Sequence, residues 1–206
     1  MNEIFFNPFI GSEYKQGGIM LLGESHTCDE ECCSVEDCLK EKDDFCVDGH
    51  VRLVKSHILK GNIFTYKIFE KEFTGNYLSV KDDRMSFWNR FFFTNILSVA
   101  MKNSSIKERE KQKFYSDTCR ERVIDLLDEY KPAYLLVWGN QVYENLPGDQ
   151  ESEMWNHDLS EVYINGNVIK VLKIIHPSAF FRMLSTEKES NFHSVKNAIE
   201  TFLNNK

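Results

Sequence analysis

The sequence predicts an α/β protein whose sheet is mostly parallel and covered by helices on both faces. Four short apolar runs divide the chain, and each ends in glycine or polar residues, as buried strands do where they open into loops. Segments with the apolar spacing of helices separate these runs, and such alternation favours a parallel sheet between helices. The 206 residues contain no internal repeat and no low-complexity linker, so we expect one domain over residues 1–206.

The first predicted strand is a short continuous apolar run rather than an alternating one, which indicates burial on both faces of the sheet. The first run, 19–22, opens directly into Gly23. The other three strands are predicted at residues 91–97, 133–138 and 168–175. Aromatic side chains in and before the second run, at Phe87, Trp88 and 91–93, are expected to belong to the core.

Apolar residues at helical spacing predict four helices. In residues 51–60, the side chains of Val51, Val54, Ile58 and Leu59 are predicted to share one side of a helix. A second helix is expected within residues 104–131, where a similar apolar stripe ends just before a proline. The remaining helices are predicted at residues 141–146 and 187–204.

Composition and charge exclude several classes of protein. No apolar run approaches the roughly 20 residues that a membrane span needs, and the N-terminus lacks the pattern of a signal peptide. We therefore expect a cytoplasmic protein with no membrane partner. The net charge of −7 and the pI of about 5.4 argue against broad, salt-driven binding to nucleic acid, although a small local basic face remains compatible with them.

Five of the six cysteines fall within an acidic segment at about residues 28–48, which we interpret as an insert in the scaffold. In a cytoplasmic chain, clustered cysteines are more often reduced, metal-bound or redox-active than joined in structural disulfides. The candidate zinc ligands are Cys28, Cys32, Cys33 and Cys38, with Cys46, His26, His50 and His57 as further donors. Their spacing lacks two Cys-x2-Cys pairs, so we expect no cofactor and keep a zinc site as the alternative.

Polar residues follow each predicted strand at the point where it ends. They are the segments 24–27 and 139–140, the side chain of Asn95, and the segment 176–178. In sheets of this kind, ligands bind outside the carboxyl ends of the parallel strands. The sequence therefore predicts a binding pocket at this edge of the sheet.

The four strand ends carry, in chain order, the motifs Leu21-Leu22-Gly23-Glu24-Ser25, Thr94-Asn95-Ile96, Leu136-Val137-Trp138-Gly139-Asn140 and His176-Pro177-Ser178. Together they resemble the signature motifs of the uracil-DNA glycosylase-like superfamily, of which the chain looks like a divergent member. The resemblance covers roughly residues 17–182. It implies a three-layer α/β/α sandwich around a mainly parallel four-stranded sheet, and a hydrolase that excises uracil or a related altered base from DNA.

The resemblance also implies a role for each matching residue. Glu24 would orient the attacking water and stabilise the cationic sugar, and His176 would donate to the base carbonyl as negative charge grows on the base. The residues expected to bind the base are Gly23, Ser25, His26, Asn95, Pro177 and Ser178. Phe180 and Phe181 are candidate wedges that would replace the flipped base in the stack, and Arg182 is a candidate phosphate contact.

The chain also departs from the family pattern, and the departures keep other functions open. His26-Thr27 stands where the family has Pro-Gly or Pro-Tyr, a turn that shapes the base pocket. One alternative function is therefore a catalytically weak protein of the same fold that binds a nucleobase, a nucleotide or nucleic acid. A second alternative is a metal- or redox-responsive protein that uses the clustered cysteines.

Overall fold

The computed structural model describes residues 4–25, 38, 44–100, 114–147, 159–182 and 185–204. Within these ranges six strands form one sheet in the order β1-β3-β2-β4-β6-β5. The strands are β1 (Phe9–Ile10), β2 (Ile19–Gly23), β3 (Phe91–Asn95), β4 (Tyr134–Trp138), β5 (Leu159–Ile164) and β6 (Asn167–Ile174).

Seven α-helices and one 3-10 helix accompany the sheet in the described residues. The α-helices are α1 (Asp44–Val47), α2 (Gly49–Lys60), α3 (Phe64–Thr74), α4 (Lys81–Trp88), α5 (Asp117–Tyr130), α6 (Asn140–Glu144) and α7 (Ser185–Asn204). The 3-10 helix is Pro177–Arg182, directly after β6. None of these helices combines the length and the hydropathy that a bilayer crossing requires.

The predicted α/β class is confirmed, but the sheet is larger and more mixed than four parallel strands. The four strands β3, β2, β4 and β6 run parallel to one another, and they are the four predicted strands. The strands β1 and β5 add antiparallel edges. A two-residue strand carries no sequence pattern, which explains why β1 was not predicted. The β5–β6 connection is an Asn165-Gly166 turn with positive φ at both residues, a hairpin signal that was present in the sequence.

Alternate residues of the same strands feed two separate hydrophobic cores, one on each face of the sheet. On one face Leu22 and Val137 pack with residues of α5. On the other face Leu21 and Leu136 pack with residues of α2, α3, α4 and α7. The predicted core aromatics are buried, with Trp88 fully so. Helices therefore cover both faces of the sheet, as the continuous apolar strands predicted.

All four predicted helices are present, within a few residues of their expected ends, as α2, α5, α6 and α7. Leu59, predicted on the apolar side of α2, is exposed instead. The four-residue α1 was not predicted from the sequence, and neither were α3 and α4. Their apolar pattern is broken because charged residues occupy core-facing positions: Glu70 and Glu72 are fully buried in α3, and Arg84 is buried in α4. The missed helices complete the helical layer against which the predicted pocket lies.

A buried polar cluster joins these helices to α2. His57 and Trp88 both donate to Oε1 of Glu70, each at 2.9 Å, and the three residues come from three different helices. The other ring nitrogen of His57, Nδ1, accepts the backbone N–H of Ile63 at 3.1 Å. Because Nδ1 is an acceptor, His57 carries its proton on Nε2, and the cluster is directed inward with no exposed member.

Arg84 closes the carboxyl end of α2. Its guanidinium donates to the carbonyl oxygens of Ile58, Leu59, Leu78 and Ser79 at 2.8–3.4 Å. The last carbonyls of a helix have no partner within the helix, and its carboxyl end attracts positive charge. Arg84 therefore serves as a side-chain cap that also ties α2 to the segment before α4.

Candidate functional site

The carboxyl ends of the four parallel strands meet around one cavity of about 310 Å³. Glu24 follows β2, Asn95 ends β3, Trp138 ends β4 and His176 follows β6, and all four side chains line this cavity. Glu24 and His176 are separated by 152 residues in the sequence (176 minus 24) yet lie at the same cavity. The predicted convergence of the strand ends is thus found in the structure.

Strand register brings these residues together. In the parallel pair β2–β3, Gly23 lies directly beside Asn95. The backbone beyond the strands continues the pairing, because Ile96 and Leu97 donate to the carbonyls of Gly23 and Glu24 at 2.9 and 3.0 Å. The first turn of the loop that carries Glu24 is therefore anchored to the end of β3.

Gly23 is required by close packing against Asn95. A Cβ built on Gly23 would collide with Oδ1 of Asn95 and would lie 3.4 Å from the ring of Phe93. Any side chain at this position would displace the Asn95 amide. Gly23 thus lines the cavity because it leaves space for the Asn95 side chain.

His176 is held in one orientation and one protonation form by the start of the 3-10 helix. Its Nδ1 accepts the backbone N–H of Ser178 at 3.1 Å and also contacts the Ser178 hydroxyl at 2.7 Å. An Nδ1 that accepts a backbone N–H carries no proton, so the neutral imidazole has its proton on Nε2. The ring stands edge-on to Trp138, with centroids 6.0 Å apart. Nε2–H is therefore the hydrogen-bond donor of this ring.

Close approach of the chain also explains Gly139, which follows Trp138. Gly139 has φ of 90°, a conformation that favours glycine, and a Cβ there would lie 3.2 Å from Cβ of His176. Its backbone N–H bonds to the carbonyl of Ile174 at 2.9 Å. The β4 end and the β6 end are in this way packed directly against each other.

Glu24 is half-buried and accepts a hydrogen bond from the Tyr115 hydroxyl to Oε1 at 2.8 Å. Tyr115 is itself buried and lies just before α5. A carboxylate held at one oxygen has a defined orientation, which positions the second oxygen. Tyr115 was not identified from the sequence, because nothing in the sequence around it indicates contact with a residue 91 positions away.

The Asn95 amide contacts a buried histidine, His50, which the sequence indicates only as a possible zinc donor. Nδ2 of Asn95 lies 3.3 Å from Nδ1 of His50, and Nε2 of His50 lies 3.1 Å from the carbonyl oxygen of Phe93. Within the described residues, Oδ1 of Asn95 forms no hydrogen bond. The amide oxygen therefore remains able to bind a ligand at the cavity.

Three aromatic rings form an apolar wall of the cavity. The Phe93 and Trp138 centroids lie 4.8 Å apart, and Tyr66 packs against both at 5.8 and 6.2 Å. Burial raises the pKa of Tyr66 well above its usual range, so its hydroxyl stays protonated. The indole N–H of Trp138 has no hydrogen-bond partner in the described residues. Tyr66 lies in the unpredicted helix α3, which is why the sequence analysis did not include it.

The other predicted site residues fall into three groups. Ser25 and Ser178 line the cavity together with the residues already described, whereas Pro177 is buried at the start of the 3-10 helix. The backbone of 180–182 belongs to that helix, and the side chains of Phe180, Phe181 and Arg182 lie outside the described part of the structure. His26 lies outside the described residues altogether.

A second hollow adjoins the cavity. It has a volume of about 580 Å³, and the walls it shares with the cavity are Glu24, Trp138, His176 and Ser178. Residues of α6 form its far side. Glu24 and His176 thus stand at the boundary between a smaller hollow with an aromatic wall and a larger open one.

Three of the described zinc candidates form other contacts in the structure. His50 and His57 are engaged in the buried hydrogen bonds described above, and Cys38 accepts the backbone N–H of Ala100 at 3.4 Å. The described residues contain no group of three or more potential ligands that would hold a metal ion. Cys28, Cys32 and Cys33 lie outside the described residues, so a zinc site there stays a prediction.

Comparison of the sequence with models of known protein families and with curated proteins finds no significant match to either. The chemistry of the cavity residues is therefore the basis for assigning a function.

Proposed function

We propose that the protein is an N-glycosylase of the uracil-DNA glycosylase-like type, which hydrolyses the bond between uracil, or a related altered base, and its sugar in DNA. One observation carries the proposal: Glu24, Asn95, Trp138 and His176 line a single cavity although they come from four separate strand ends. The volume of about 310 Å³ lies at the lower end of the range for ligand pockets, which suits a single base.

The donor side of the reaction is assigned to His176. Departure of the base places negative charge on its carbonyl oxygen, and a fixed N–H aimed at that oxygen stabilises the charge. Ser178 fixes the imidazole with the proton on Nε2, so the donor is already oriented before a base binds. A preorganised neutral donor of this kind requires no rearrangement during the reaction.

The carboxylate side is assigned to Glu24. Bond cleavage develops positive charge on the sugar, and a carboxylate stabilises that charge and orients the attacking water. The hydrogen bond from Tyr115 to Oε1 orients the Glu24 carboxylate at the cavity. Glu24 stands where the two hollows meet, so a base in the smaller one would place its sugar beside this carboxylate.

Base binding is assigned to Asn95 and the aromatic wall. An amide offers a donor and an acceptor side by side, which matches the edge of a pyrimidine. Flipping a base out of DNA costs a few kcal/mol, and a side chain inserted into the stack offsets part of that cost. Phe180 and Phe181 of the 3-10 helix after His176 are our candidates for this wedge, and Arg182 is our candidate for a phosphate contact.

The arrangement of the sheet is compatible with the proposal. The four parallel strands follow the order β3-β2-β4-β6 and are covered by helices on both faces, which fits a three-layer sandwich around a four-stranded parallel sheet with two added edge strands. Ligands of such sheets bind at the carboxyl edge, where the cavity lies.

A second candidate function is binding of a nucleobase or nucleotide without strong catalysis. The net charge of −7 favours it, because a DNA enzyme gains much of its affinity from contacts between basic residues and phosphate. The same cavity would then hold a small ligand, with Asn95 and His176 as its polar contacts.

Release of uracil from single- and double-stranded oligonucleotides that contain it separates the two candidates. We expect release by the wild type and a loss of at least a hundredfold in Glu24→Gln. Glu121→Gln is the matched control, because this exposed carboxylate of α5 lies outside the cavity lining. Absence of release at micromolar enzyme, together with a thermal shift on adding free uracil, would favour the binding protein. Absence of both would reject both candidates.

A further inference from the structure

His50 occupies the first turn of α2 and is buried beneath the rim of the cavity, with an exposed fraction of 1%. Its ring stands edge-on to Phe93, with centroids 4.5 Å apart. Nε2 contacts the Phe93 carbonyl, and Nδ1 contacts the Asn95 amide. His50 thus links the backbone of β3 to the Asn95 side chain, which lines the cavity.

The Phe93 carbonyl determines which ring nitrogen of His50 carries the proton. A carbonyl oxygen only accepts, so Nε2 must be the donor, and Nδ1 of the neutral ring is then an acceptor. An acceptor at Nδ1 requires that the Asn95 atom facing it be Nδ2 and not Oδ1. The two ends of the Asn95 amide are therefore distinguished by a chain of bonds that begins at a backbone atom.

Because the Asn95 amide is fixed, its hydrogen-bond donor and acceptor follow one another in a defined order. Oδ1 of Asn95 lies against Gly23 of β2, the side on which β4, β6 and His176 follow, and Nδ2 lies on the side of α2. A base between Asn95 and His176 meets, in order, the His176 donor, the Asn95 oxygen and the second Nδ2 proton. Donor, acceptor, donor on the protein is complementary to carbonyl, N–H, carbonyl on a base.

We propose that His50 is a positioning residue that locks the Asn95 amide and thereby makes the cavity selective for an imide edge, such as that of uracil. The proposal rests on the proposed function, since it requires that the cavity hold a nucleobase. Cytosine presents a bare ring nitrogen and an amino group at the last two positions. It would place acceptor against acceptor and donor against donor, unless Asn95 reversed its amide and broke the bond to His50.

The first test needs no ligand. Nitrogen-15 NMR of the histidine rings in the full chain reports which nitrogen is protonated, and we expect a neutral His50 with Nε2–H and a bare Nδ1 near neutral pH. The Asn95 amide protons should be resolved in the wild type and should shift in His50→Gln. A protonated Nδ1 on His50 would overturn the proposal, whatever the protein binds.

The second test compares affinities for free uracil and free cytosine in the wild type and three variants. We expect wild type to favour uracil at least about tenfold, since a well-matched pair of hydrogen bonds provides discrimination of that order. His50→Phe should lower the ratio toward one. His50→Gln, which can still donate to Phe93 and accept from Asn95, should restore part of it, and His57→Gln should leave it unchanged.

The outcomes separate this proposal from the proposed function. Uracil binding with an unchanged ratio in His50→Phe would leave the function standing and overturn the role of His50. Absence of binding of either base to the wild type, together with no release from DNA, would remove the function and the selectivity with it. If His50→Phe does not fold, the ratio in His50→Gln relative to His57→Gln and the ring spectrum decide the question.

Discussion

Two buried histidines on the same helix, His50 and His57, form the same pattern of hydrogen bonds but connect to different regions. Both carry the proton on Nε2 and accept an N–H at Nδ1. The bonds of His57 end at Glu70 and at a backbone amide, within the helical layer. Those of His50 end at the Phe93 carbonyl and at Asn95, whose side chain lines the cavity.

Stability and ligand binding are expected to depend on two different regions of this molecule. In the helical layer, His57 and Trp88 are hydrogen-bonded to Glu70, so removing any of the three takes a hydrogen bond from a buried partner. At the cavity, the structure leaves the Asn95 oxygen and the Trp138 indole N–H without partners in the described residues. Substitutions in the first region should lower stability, and substitutions in the second should lower activity or selectivity.

The largest expected effect is on catalysis. Glu24→Gln removes the negative charge but keeps the size of the side chain and its contact with Tyr115. We expect uracil release to fall by roughly 100- to 10,000-fold, the contribution typical of a positioned acid–base group. The midpoint of thermal unfolding should change little, because Glu24 is only half-buried. A large loss of stability together with retained uracil release would contradict this division between the two regions.

The second effect is on stability. His57→Ala removes a donor to the buried Glu70 and leaves a cavity among fully buried side chains. Removing one member of a buried polar pair costs about 3–5 kcal/mol, and we expect a decrease of that size in the free energy of unfolding measured by urea titration. The folded fraction should keep the wild-type preference for uracil over cytosine. A changed preference would show that the two histidines are coupled.

Arg84 should also affect stability alone, by a smaller amount. Arg84→Met keeps much of the apolar stem but leaves the carbonyls at the end of α2 without their donors. We expect a loss of roughly 2 kcal/mol in the free energy of unfolding, in the range found for buried groups deprived of hydrogen bonds. Arg84→Lys should lose less, because an ammonium still donates. Equal losses in both variants would exclude the capping role.

The strands and helices differ in how clearly the sequence indicates them. The strands β2, β3 and β4 are almost entirely buried, so they appear as apolar runs whose polar ends follow at once. The strand β6 contains Lys170 and Lys173, but its remaining apolar residues still indicate a strand that ends before His176. Glu24, Asn95 and His176 were found for that reason. The edge strands and the helices α3 and α4 lack such a pattern, because they are very short or carry charged residues toward the core.

The missing part of the candidate site follows from the missing helices. Tyr66 lies on α3, and Tyr115 contacts Glu24 from 91 positions away. His50 was visible in the sequence only as a possible metal donor, since its two bonds depend on the packing of α2 against β3. Long-range contacts of single side chains leave no periodic trace, so only the structure reveals them.

Neither carboxyl oxygen of Glu72 is paired in the part of the chain that the structure describes, so replacing this residue should raise stability rather than lower it. Its carboxyl is fully buried, neither oxygen has a hydrogen-bond partner in the described residues, and desolvation raises its pKa well above the usual 4.5. Glu72→Leu should therefore raise the free energy of unfolding at pH 7 by about 1 kcal/mol or more, because an unpaired polar group is replaced by an apolar one. Urea titration measures this gain.

The pH dependence of the free energy of unfolding would identify Glu72 as the source of this gain. Below pH 4.5 the carboxyl is protonated in both states, whereas above it the unfolded chain releases the proton that the folded chain retains. Wild-type stability should then fall, relative to Glu72→Leu, by about 1.4 kcal/mol per pH unit until the raised pKa is passed. Subtracting the two curves of stability against pH cancels the contributions of the other titrating groups. A difference that stays constant from pH 4 to 8 would mean that Glu72 finds a partner and that the helical layer contains no unpaired acid.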